Sequence, residues 1–549
     1  MKICNPKSAI ERGCFSIRNP KSALRNRREI LEAERGLEGD KLSSGELSVA
    51  LVFPNTYEVG MANLGFQRIF HLLSALDGWR CERAFYDGEK PVSLESGGAL
   101  PEFDVIAFSV SFELDYANLV SCLVQSGIAP LSEDRKMPLV IAGGICVFMN
   151  PEPLTPFVDL FFSGEGEAEV PKLMQRMSEC WGESRERFLS KLAEGAGVYV
   201  PGVSTSVVRQ ALPELRDEEA FSPIVTPRSH FRNMLLIEVG RGCGRGCRFC
   251  AAGFVYRPVR RRPPQALIAR LETNLGDIKR VGLMGSAISD YPGLALLCRA
   301  LVERGCAIAT SSFRADCITP ELIQSLVRGG VRTLTIAPET GSERLRMRIG
   351  KKLPDEAILN AARWAAEGGI RNLRMYFMFG LPFEEAEDVS AIADFVARIR
   401  GCYMAAGGRR ITVSAHPFVP KAATPFQWCP MDSANILKVK YRTIRTGLLP
   451  LSGVTLLKTS IRMALLQGIL AMGDRNVGIG LFYRVSEGLP WKRAWEKAGV
   501  KPEAFVHRWK AEWERLPWDF IVQRTNRETL WREYQKASVT SKNERVKEV

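Results

Sequence analysis

The sequence predicts an α/β protein built from an N-terminal doubly wound, Rossmann-like sheet, a partial (β/α)6 barrel of the TIM type and a helical C-terminal region. Apolar runs typical of covered parallel strands alternate with segments of helical spacing over residues 46–175 and again over residues 233–428. These two observations predict the sheet and the barrel. Amphipathic helical spacing over much of residues 429–549 predicts the last part.

The composition is that of a soluble globular protein. Of the 549 residues, 46% are hydrophobic and 25% are charged, and a chain of this length accommodates about three domains. No apolar run reaches the ~18 residues that suggest a membrane span, and the N-terminus lacks the apolar core of a signal peptide. The 14 cysteines do not form the pattern of a small disulfide-rich protein. We therefore expect a cytoplasmic protein with reduced thiols and no membrane partner.

The net charge of +14 is distributed unevenly along the chain. Residues 1–45 carry +4, residues 46–200 carry −11 and residues 201–549 carry +21. A basic C-terminal half can steer an anionic substrate such as RNA. The alternatives are a solvated basic surface and a patch for an acidic partner protein.

The N-terminal part divides into an extension and a domain. Residues 1–45 form a basic extension in which Asn-Pro-Lys-Ser-Ala occurs twice, and we expect little order at its start and a helix near residues 28–35. In the first domain, residues 46–175, the predicted strands are 47–53, 105–110, 138–144 and 158–162, and the predicted helices are 64–76 and 119–127. Ligands bind such sheets at the carboxyl ends of the strands. Gly143 and Gly144 end the third strand, and Gly164 begins a Gly-Glu-Gly-Glu run after the fourth.

Residues 176–232 are predicted to be a connector with one helix near 185–194. In the second domain, residues 233–428, the predicted strands are 234–237, 280–285, 307–313, 333–337, 373–379 and 411–418, and the predicted helices are 264–275, 293–303, 320–328, 355–367 and 386–398. These six βα units predict a partial barrel, with its chemistry on the loops after the strands. In the C-terminal region the predicted helices are 436–448, 454–472, 492–499 and 504–514. The last ten residues are polar, and we expect them to be disordered.

The loop after the first barrel strand contains three cysteines, Cys243, Cys247 and Cys250, in a C-x3-C-x2-C spacing. The glycines around them allow the loop to fold back and direct several thiolates at one point. Soft thiolates select zinc, copper(I) or iron–sulfur clusters. A zinc knuckle or a redox thiol pair is the alternative, but zinc needs a fourth ligand nearby and the sequence shows none.

This loop, with Phe249 before its last cysteine, resembles the C-x3-C-x-aromatic-C signature of the radical S-adenosylmethionine (radical SAM) superfamily. The resemblance implies a [4Fe-4S] cluster on Cys243, Cys247 and Cys250, with the amino and carboxylate groups of SAM on the fourth iron. It implies an enzyme that cleaves SAM reductively to a 5′-deoxyadenosyl radical, and a reductant such as flavodoxin or ferredoxin. It also implies that the partial barrel is the radical SAM core.

The loops after the later barrel strands resemble the SAM-binding elements of that family. Gly285 takes the place of a Gly-Gly-Glu element whose glutamate is missing, and Arg314 is a candidate partner for the SAM carboxylate. Glu339 and Ser342 belong to an E-x-G-S element, and Glu384 belongs to a G-x-P-x-E element on the adenine side. For the two glutamates the alternative is helix capping, because carboxylates favour helix N-termini.

The first domain resembles the cobalamin-binding domain found ahead of many radical SAM domains. The matching residues are Gly143 and Gly144 after the third strand and Gly164 in the Gly-Glu-Gly-Glu run. The D-x-H-x-x-G motif that supplies a histidine to cobalt is absent, and His71 reads as a core residue of a helix. Two interpretations stay open: the domain binds cobalamin without that ligand, or it keeps the fold and binds none.

The motifs at 256–260, 337–342 and 424–428 resemble an uncharacterised bacterial and archaeal family of radical SAM proteins with such a domain. With cobalamin, the resemblance suggests methyl transfer to an unactivated carbon of an unknown substrate. A second hypothesis is radical modification of RNA or a ribosomal protein, with the arginines of the loop 256–262 either contacting an anionic substrate or solvating the loop. Methylthiolation is disfavoured, because no second group of three cysteines lies near the N-terminus. A third hypothesis is a non-catalytic iron–sulfur or electron-transfer protein. No catalytic side chain is assigned.

Overall fold

The structure is a computed structural model that describes residues 27–36 and 45–544. The repeated Asn-Pro-Lys-Ser-Ala segments, and the start of the chain where we expect little order, lie outside the described residues. Helix α1, Arg27–Ala33, confirms the helix expected near residues 28–35. Strand β1, Arg35–Gly36, follows it directly.

The first part of the chain forms a six-stranded sheet. Its strands are β2 Leu47–Phe53, β3 Trp79–Phe85, β4 Val105–Ser109, β5 Leu139–Gly143, β6 Leu160–Phe162 and β7 Val198–Tyr199. Its helices are α2 Tyr57–Gly60, α3 Leu64–Ser74, α4 Tyr116–Gln125, α5 Ile145–Met149, α6 Val170–Cys180 and α7 Arg185–Ala193. The strand order is β3-β2-β4-β5-β6-β7, parallel throughout except for β7. With β2 counted as the first strand, this is the flavodoxin-like order, which reverses direction between β2 and β4.

The second part forms an open wall of parallel strands. After the short strands β8 Val207–Val208 and β9 Ile224–Val225 come β10 Leu235–Arg241, β11 Arg260–Arg261, β12 Arg280–Gly285, β13 Ala307–Thr310, β14 Thr333–Glu339, β15 Asn372–Phe379, β16 Arg410–Pro417 and β17 Val454–Leu456. They form two four-stranded sheets, β11-β10-β12-β13 and β14-β15-β16-β17, which a bridge between Phe313 and Ile336 joins. Only β11 is antiparallel to its neighbour. The wall therefore has seven parallel strands, one more than the six predicted.

Helices connect these strands and follow the last of them. Those between strands are α8 Pro264–Ala269, α9 Leu271–Leu275, α10 Leu294–Glu303, α11 Pro320–Arg328, α12 Glu343–Arg348, α13 Asp355–Glu367, α14 Ala386–Ala405 and α15 Ala434–Leu448. The C-terminal region adds α16 Ile461–Met472, α17 Arg475–Ser486, α18 Trp491–Lys497, α19 Pro502–Val506, the strand β18 Ile521–Val522 and α20 Arg527–Glu544. The α/β class with its helical C-terminal region is confirmed.

Several C-terminal predictions are wrong in detail. The helix predicted over 454–472 begins only at Ile461, because Val454–Leu456 pair in parallel register with β16. The helix predicted over 504–514 ends at Val506. Helices α17 and α20 are not predicted at all. Because α20 runs to Glu544, residues 540–544 are helical rather than disordered, and residues 545–549 lie outside the described residues.

The C-terminal region packs on both preceding parts. Strand β18 pairs with β8, and Asn150 donates hydrogen bonds to the carbonyls of Ala471 and Gly473 at 3.1 and 2.8 Å. One buried apolar cluster continues from β4 and β5 through the barrel wall to α16 and α17. No helix in the described part of the chain is long and apolar enough to cross a membrane.

Candidate functional site

The three cysteines lie in the loop that follows β10, at the carboxyl end of the barrel wall. Cys247 is buried, and Cys243 and Cys250 are half-buried. The amide of Cys243 donates to the carbonyl of Ala252 at 3.1 Å, and the amide of Cys250 donates to the carbonyl of Cys247 at 3.0 Å. These two hydrogen bonds fold the loop back on itself, so all three thiols belong to one compact loop at the edge of the barrel wall.

The chemistry of these thiols suits a soft metal centre. Burial raises the pKa of Cys247 to about 12, against the opposing charge of Lys351. Burial also raises the pKa of Cys250, and the neighbouring Cys243 adds to the rise. In residues 27–36 and 45–544 the structure gathers no three His, Cys, Asp or Glu side chains around a single ion position. Each thiolate ligand of a [4Fe-4S] cluster binds its own iron, so cluster ligands are spread around the cluster. Three soft thiols on one loop fit that requirement.

Arg248 anchors the cysteine loop to two other segments. Its amide donates to the carbonyl of Ile349 at 2.9 Å, and its Nη1 donates to the carbonyl of Arg348 at 2.6 Å. Its Nη2 lies 3.2 Å from a carboxylate oxygen of Glu533 on α20. The loop is therefore fixed to the segment after α12 and to the C-terminal helix.

A buried ion pair lies beside the thiol of Cys247. Glu339 ends β14 with a positive φ of 72°, and its Oε1 lies 2.9 Å from Nζ of Lys351. Burial lowers the pKa of Lys351, but the charges of Glu339 and Cys247 outweigh burial, so the pKa lies above its ordinary value. The ammonium group therefore stays protonated at neutral pH. Sequence reasoning missed Lys351, because nothing in the Lys351-Lys352 pair distinguishes a buried lysine from a surface one.

Arg314 is fixed near the same thiol. Its guanidinium lies 2.9 Å from Asp316, and its Nη2 donates to the carbonyl of Lys352 at 2.9 Å. Its charge lowers the pKa of Cys247, against the larger effect of burial. The structure thus brings Cys247, Cys250, Glu339 and Arg314 together, as their places on the strand ends predict.

Gly285, the last residue of β12, and Ala287 after it line a small cleft beside the cysteine loop. The other residues that line it include Gly240, Gly242 and Gly244. Among the predicted SAM-contacting residues, Gly285 is thus the one that shares a cleft with the glycines of that loop.

Ser342 and Glu384 have local partners in the structure. Ser342 Oγ accepts a hydrogen bond from the amide of Leu345 at 3.1 Å, which makes Ser342 the N-cap of α12. Glu384 accepts from the amide of Gly380 at 2.8 Å and lies 2.8 Å from Lys440 Nζ. Burial raises the pKa of Glu384, against the charge of Lys440. Ser342 thus caps a helix, whereas Glu384 binds amides of its own loop and Lys440 and does not cap α14, whose N-cap is Glu385. A role of either residue in SAM binding stays a prediction.

The glycines of the first sheet are placed differently from one another. Gly144, with φ 106°, would bring a Cβ within 2.4 Å of the Val110 carbonyl oxygen, and Gly164, with φ 131°, within 2.2 Å of the Gln210 carbonyl oxygen. Both glycines are thus packed against the protein's own backbone. Gly143 has its nearest such neighbour at 3.9 Å, so it alone of the three leaves room for a ligand.

The Gly-Glu-Gly-Glu run contacts the barrel instead of solvent. Glu165 accepts two hydrogen bonds from Arg260, at 2.6 and 2.7 Å, and Glu167 is ion-paired with Arg241. Burial raises the pKa of Glu165, but the hydrogen bond from Arg260 and the charges of Arg241 and Arg260 outweigh it, so the pKa lies below its ordinary value. The run therefore joins the first sheet to β10 and β11.

This pairing bears on the arginine loop at 256–262. Arg260 is neutralised by Glu165, Arg262 lies 2.8 Å from Glu238, and Arg257 donates to the Gly253 carbonyl at 2.6 Å. Arg261 is exposed. Three of the four arginines thus bind groups of the protein itself, which leaves little of the loop for an anionic substrate.

The point where the strand order of the first sheet reverses faces the end of β16. Asn55, after β2, donates to Oδ1 of Asp115 at 2.8 Å, and Asp115 lies in the segment after β4. Glu113, in the same segment, lies 2.5 Å from Nζ of Lys421 and accepts from Gln467 at 3.0 Å. Burial raises the pKa of Asp115 to about 7, although Asn55 donates to its charged form. Sequence reasoning missed Asp115, Lys421 and Gln467, because only the fold brings them to this crevice.

Comparisons with known proteins match two stretches of the chain to family models. Residues 237–396 match the model of the radical SAM superfamily, and residues 65–201 match a model described as radical SAM proteins, N-terminal. An uncharacterized protein of Methanocaldococcus jannaschii is 29% identical over 441 residues, which are 79% of this chain and 91% of that protein. An uncharacterized protein of Methanopyrus kandleri is 25% identical over 206 residues, which are 34% of this chain and 38% of that protein.

Two solved structures are similar in fold. The radical S-adenosylmethionine methyltransferase TsrM from Kitasatospora setae, with cobalamin and a [4Fe-4S] cluster bound, has 13% identity and a TM-score of 0.49, and the match covers 82% of this chain and 99% of that one. The cobalamin-dependent S-adenosylmethionine radical enzyme OxsB, with aqua-cobalamin and S-adenosylmethionine bound, has 14% identity and a TM-score of 0.45. That match covers 91% of this chain and 80% of that one.

Proposed function

We propose, since the chain belongs to the radical SAM superfamily, that this enzyme cleaves S-adenosylmethionine reductively to a 5′-deoxyadenosyl radical. The observation that supports this reaction most directly is the loop after β10, which carries Cys243, Cys247 and Cys250 and in which the last two thiols are near the Glu339–Lys351 pair. The cofactors of this superfamily are a [4Fe-4S] cluster and SAM. The third hypothesis, a non-catalytic electron carrier, is disfavoured because residues 237–396 match the radical SAM superfamily and a carrier has no need of SAM-binding elements.

In this proposal Cys243, Cys247 and Cys250 hold three irons of the cluster. When bound, the cluster supplies the electron and SAM supplies the radical that abstracts hydrogen from the substrate. The thiols must lose their protons to bind iron, and burial raises the pKa of Cys247 and Cys250. The cations Lys351 and Arg314 favour the charged thiolates in this half-buried loop.

The same cations give the protein a place for the amino-acid part of SAM. We assign Arg314 and Lys351 to the carboxylate of SAM and Glu339 to its amino group. The backbone around Gly285 lines the cleft beside the cysteine loop, where we place this part of SAM. Glu339 and Lys351 lie 2.9 Å apart. They therefore place a negative and a positive charge close together, as the amino and carboxylate groups of SAM require. Ser342 and Glu384 support this arrangement by ordering the starts of α12 and of the loop after β15.

We also propose that cobalamin binds between the first sheet and the barrel and that the enzyme transfers a methyl group to a substrate carbon. The strand order of the first sheet supports it, because ligands of flavodoxin-like sheets bind where that order reverses. Here that crevice contains Asn55, Glu113 and Asp115 and faces Lys421. Cobalamin, when bound there, would supply the methyl group. The cofactor would lack the histidine ligand, and Gly143 rather than Gly144 or Gly164 would border it.

We further propose a cytoplasmic location, a flavodoxin or ferredoxin as reductant, and the division into a cobalamin-binding-like domain at 46–175 and a radical SAM core at 233–428. Radical modification of RNA or a ribosomal protein remains the alternative outcome for the substrate. The pairing of Arg257, Arg260 and Arg262 within the protein removes the support that the loop 256–262 gave to it.

The cofactor assignment is tested by anaerobic reconstitution with iron, sulfide and hydroxocobalamin, followed by absorbance, electron paramagnetic resonance and metal analysis. We expect about four irons per chain and a reduced-cluster signal. Single Ala variants of Cys243, Cys247 and Cys250 should lose both. Cys317→Ala is the matched control, because Cys317 Sγ lies 3.5 Å from Arg245 of the same loop but is outside the proposed ligand set. Equal iron loss in Cys317→Ala would contradict the assignment of the cluster ligands. Absence of bound cobalt would contradict only the proposal that cobalamin binds.

A further inference from the structure

The amino ends of the barrel strands carry a repeated basic feature. Three successive βα units contain Gly-Gly-x-Arg at equal intervals, at residues 329–332, 368–371 and 407–410. In each unit the glycines follow a helix and the arginine stands at or just before the first residue of β14, β15 or β16. The strand register sets Arg332 and Arg371 level with Arg409, the residue before the arginine of the third repeat.

Backbone hydrogen bonds place these arginines side by side. The carbonyl of Arg332 accepts from the amides of Arg371 and Asn372 at 3.2 and 3.1 Å, and the carbonyl of Arg371 accepts from the amides of Arg409 and Arg410 at 3.1 and 3.2 Å. Neighbouring strands lie about 4.8 Å apart. Arg332, Arg371 and Arg409 thus project from three adjacent positions along one edge.

Further exposed cations extend this edge. We call Lys279, Arg328, Arg332, Arg371, Arg409 and Arg410 the basic row, and all six are exposed. Over the described ranges 27–36 and 45–544, no acidic side chain is ion-paired with any of them. Arg332 and Arg371 each use Nη1 on backbone carbonyls, at 3.0 and 3.3 Å for the closest contacts. Since a guanidinium has five N–H donors, most of the donors of both residues remain available.

We propose that the basic row binds the phosphate backbone of a nucleic acid without reading its bases. Five of its six members are arginines, whose planar forks suit phosphate oxygens better than a lysine ammonium does. None of the large exposed apolar side chains among residues 27–36 and 45–544 lies in the segments 277–281, 326–334, 369–373 or 407–412, which carry the row. The centre of a protein interface and a membrane-binding surface both need apolar side chains, so the composition of the row favours nucleic acid over either.

The basic row lies at the opposite end of the strands from the cysteine loop. Strand β15 has eight residues, and at about 3.3 Å per residue the two ends are roughly 25 Å apart. The row therefore holds a polyanion away from the chemistry, and the inference does not rest on the proposed reaction. SAM cleavage should be unchanged when the row is altered.

The test is fluorescence anisotropy of the whole reconstituted chain with a labelled RNA hairpin and with a DNA hairpin of the same sequence. The variant Arg332→Glu/Arg371→Glu/Arg409→Glu should lose at least tenfold in affinity. The slope of the logarithm of its binding constant against the logarithm of the salt concentration should become less steep by about 0.9 for each lost phosphate contact. The matched control is Lys172→Glu/Arg187→Glu/Arg493→Glu, which makes the same change in net charge at side chains that are 69%, 73% and 76% exposed. It should bind almost as the parent does.

The variant Arg332→Gln/Arg371→Gln/Arg409→Gln keeps the test valid if charge reversal impairs folding, since neutral side chains should weaken binding in the same direction. Equal loss with RNA and DNA identifies the shared backbone, and loss with RNA alone identifies RNA as the ligand. Equal affinity loss in the row and control variants, or no loss in either, would overturn the inference. Binding of polyglutamate or of phosphatidylserine vesicles, with neither hairpin bound, would overturn it as well.

Discussion

Nζ of Lys351 lies 2.9 Å from Oε1 of Glu339, and both charges act on the thiol of Cys247. The pair joins the end of β14 to the segment that follows α12, and that segment also holds Arg248 of the cysteine loop. A single contact therefore links the proposed cluster ligands to the proposed binding groups for the amino and carboxylate ends of SAM.

Substitution of Lys351 tests this link. Lys351→Met removes the partner of Glu339 and a cation near Cys247, so we expect SAM affinity to fall tenfold or more, about 1.4 kcal/mol. Iron content should stay near that of the parent. Isothermal titration of the reconstituted protein with SAM measures the effect.

Lys352→Met is the matched control for Lys351, because Lys352 is the adjacent lysine and is exposed. Its backbone carbonyl, which accepts from Arg314, is kept. If both substitutions weaken SAM binding equally, the assignment of Lys351 fails.

The contact between Glu113 and Lys421 should stabilise the junction of the first sheet with the barrel. Removal of one partner from a buried ion pair costs about 3–5 kcal/mol, so Lys421→Met should lower the melting temperature by about 5 °C or more. Lys172→Met, which breaks an exposed pair with Glu169, should change it by less than about 2 °C. Similar shifts in the two variants would contradict a structural role for the junction.

The raised pKa of Asp115 predicts a pH dependence of stability. Burial raises this pKa from 3.8 to about 7, so the folded protein binds a proton that the unfolded chain releases first. The stabilisation is present below about pH 4 and is lost as the pH rises to about 7, on the order of 4 kcal/mol. Asp115→Asn removes it. The melting temperature of the parent relative to Asp115→Asn should fall between pH 4 and 7 and level off above. A constant difference over that range would show that Asp115 is not protonated in the fold.

Gly164 tests whether the Gly-Glu-Gly-Glu run is packed against the connector. A Cβ at this position would lie 2.2 Å from the Gln210 carbonyl oxygen, whereas at Gly182, which also has a positive φ, it would meet nothing within 4 Å. Gly164→Ala should therefore destabilise by more than the ~1 kcal/mol of backbone strain expected for Gly182→Ala. Thermal unfolding of both variants measures the difference, and equal shifts would mean that the close approach to Gln210 is absent in solution.

The strands of the first sheet that sequence reasoning found share one property, which is a near-continuous apolar run. Strand β2 is an example, since six of its seven residues are buried. Strand β3 was not predicted, because it carries Glu82 and Arg83, and charged residues such as these usually lie on the surface. In the fold Arg83 is buried between Glu34 and Glu95, at 2.6 and 2.7 Å. Pairing with distant acids, not local pattern, allows this strand.

The candidate site divides in the same way. The cysteine loop, Glu339 and Arg314 follow strands directly, so their proximity is readable from the order of the elements. Lys421 and Glu113 meet although they are 308 residues apart in the chain, and no local signal records that contact. The arginines of 256–262 were candidates for an anionic substrate in the sequence. In the fold, Arg260 and Arg262 instead pair with Glu165 and Glu238, which come from other loops and strands.

The proposed reaction is tested most directly by the formation of 5′-deoxyadenosine. The anaerobically reconstituted chain, reduced with dithionite, would be given SAM, and the products would be quantified by chromatography and mass spectrometry, with the Cys247→Ala variant and the Cys317→Ala control in parallel. We predict 5′-deoxyadenosine and methionine in equal amounts from the parent and the control, and none above background from Cys247→Ala. A parent that holds its full complement of iron yet forms no 5′-deoxyadenosine with any reductant would contradict the proposed function.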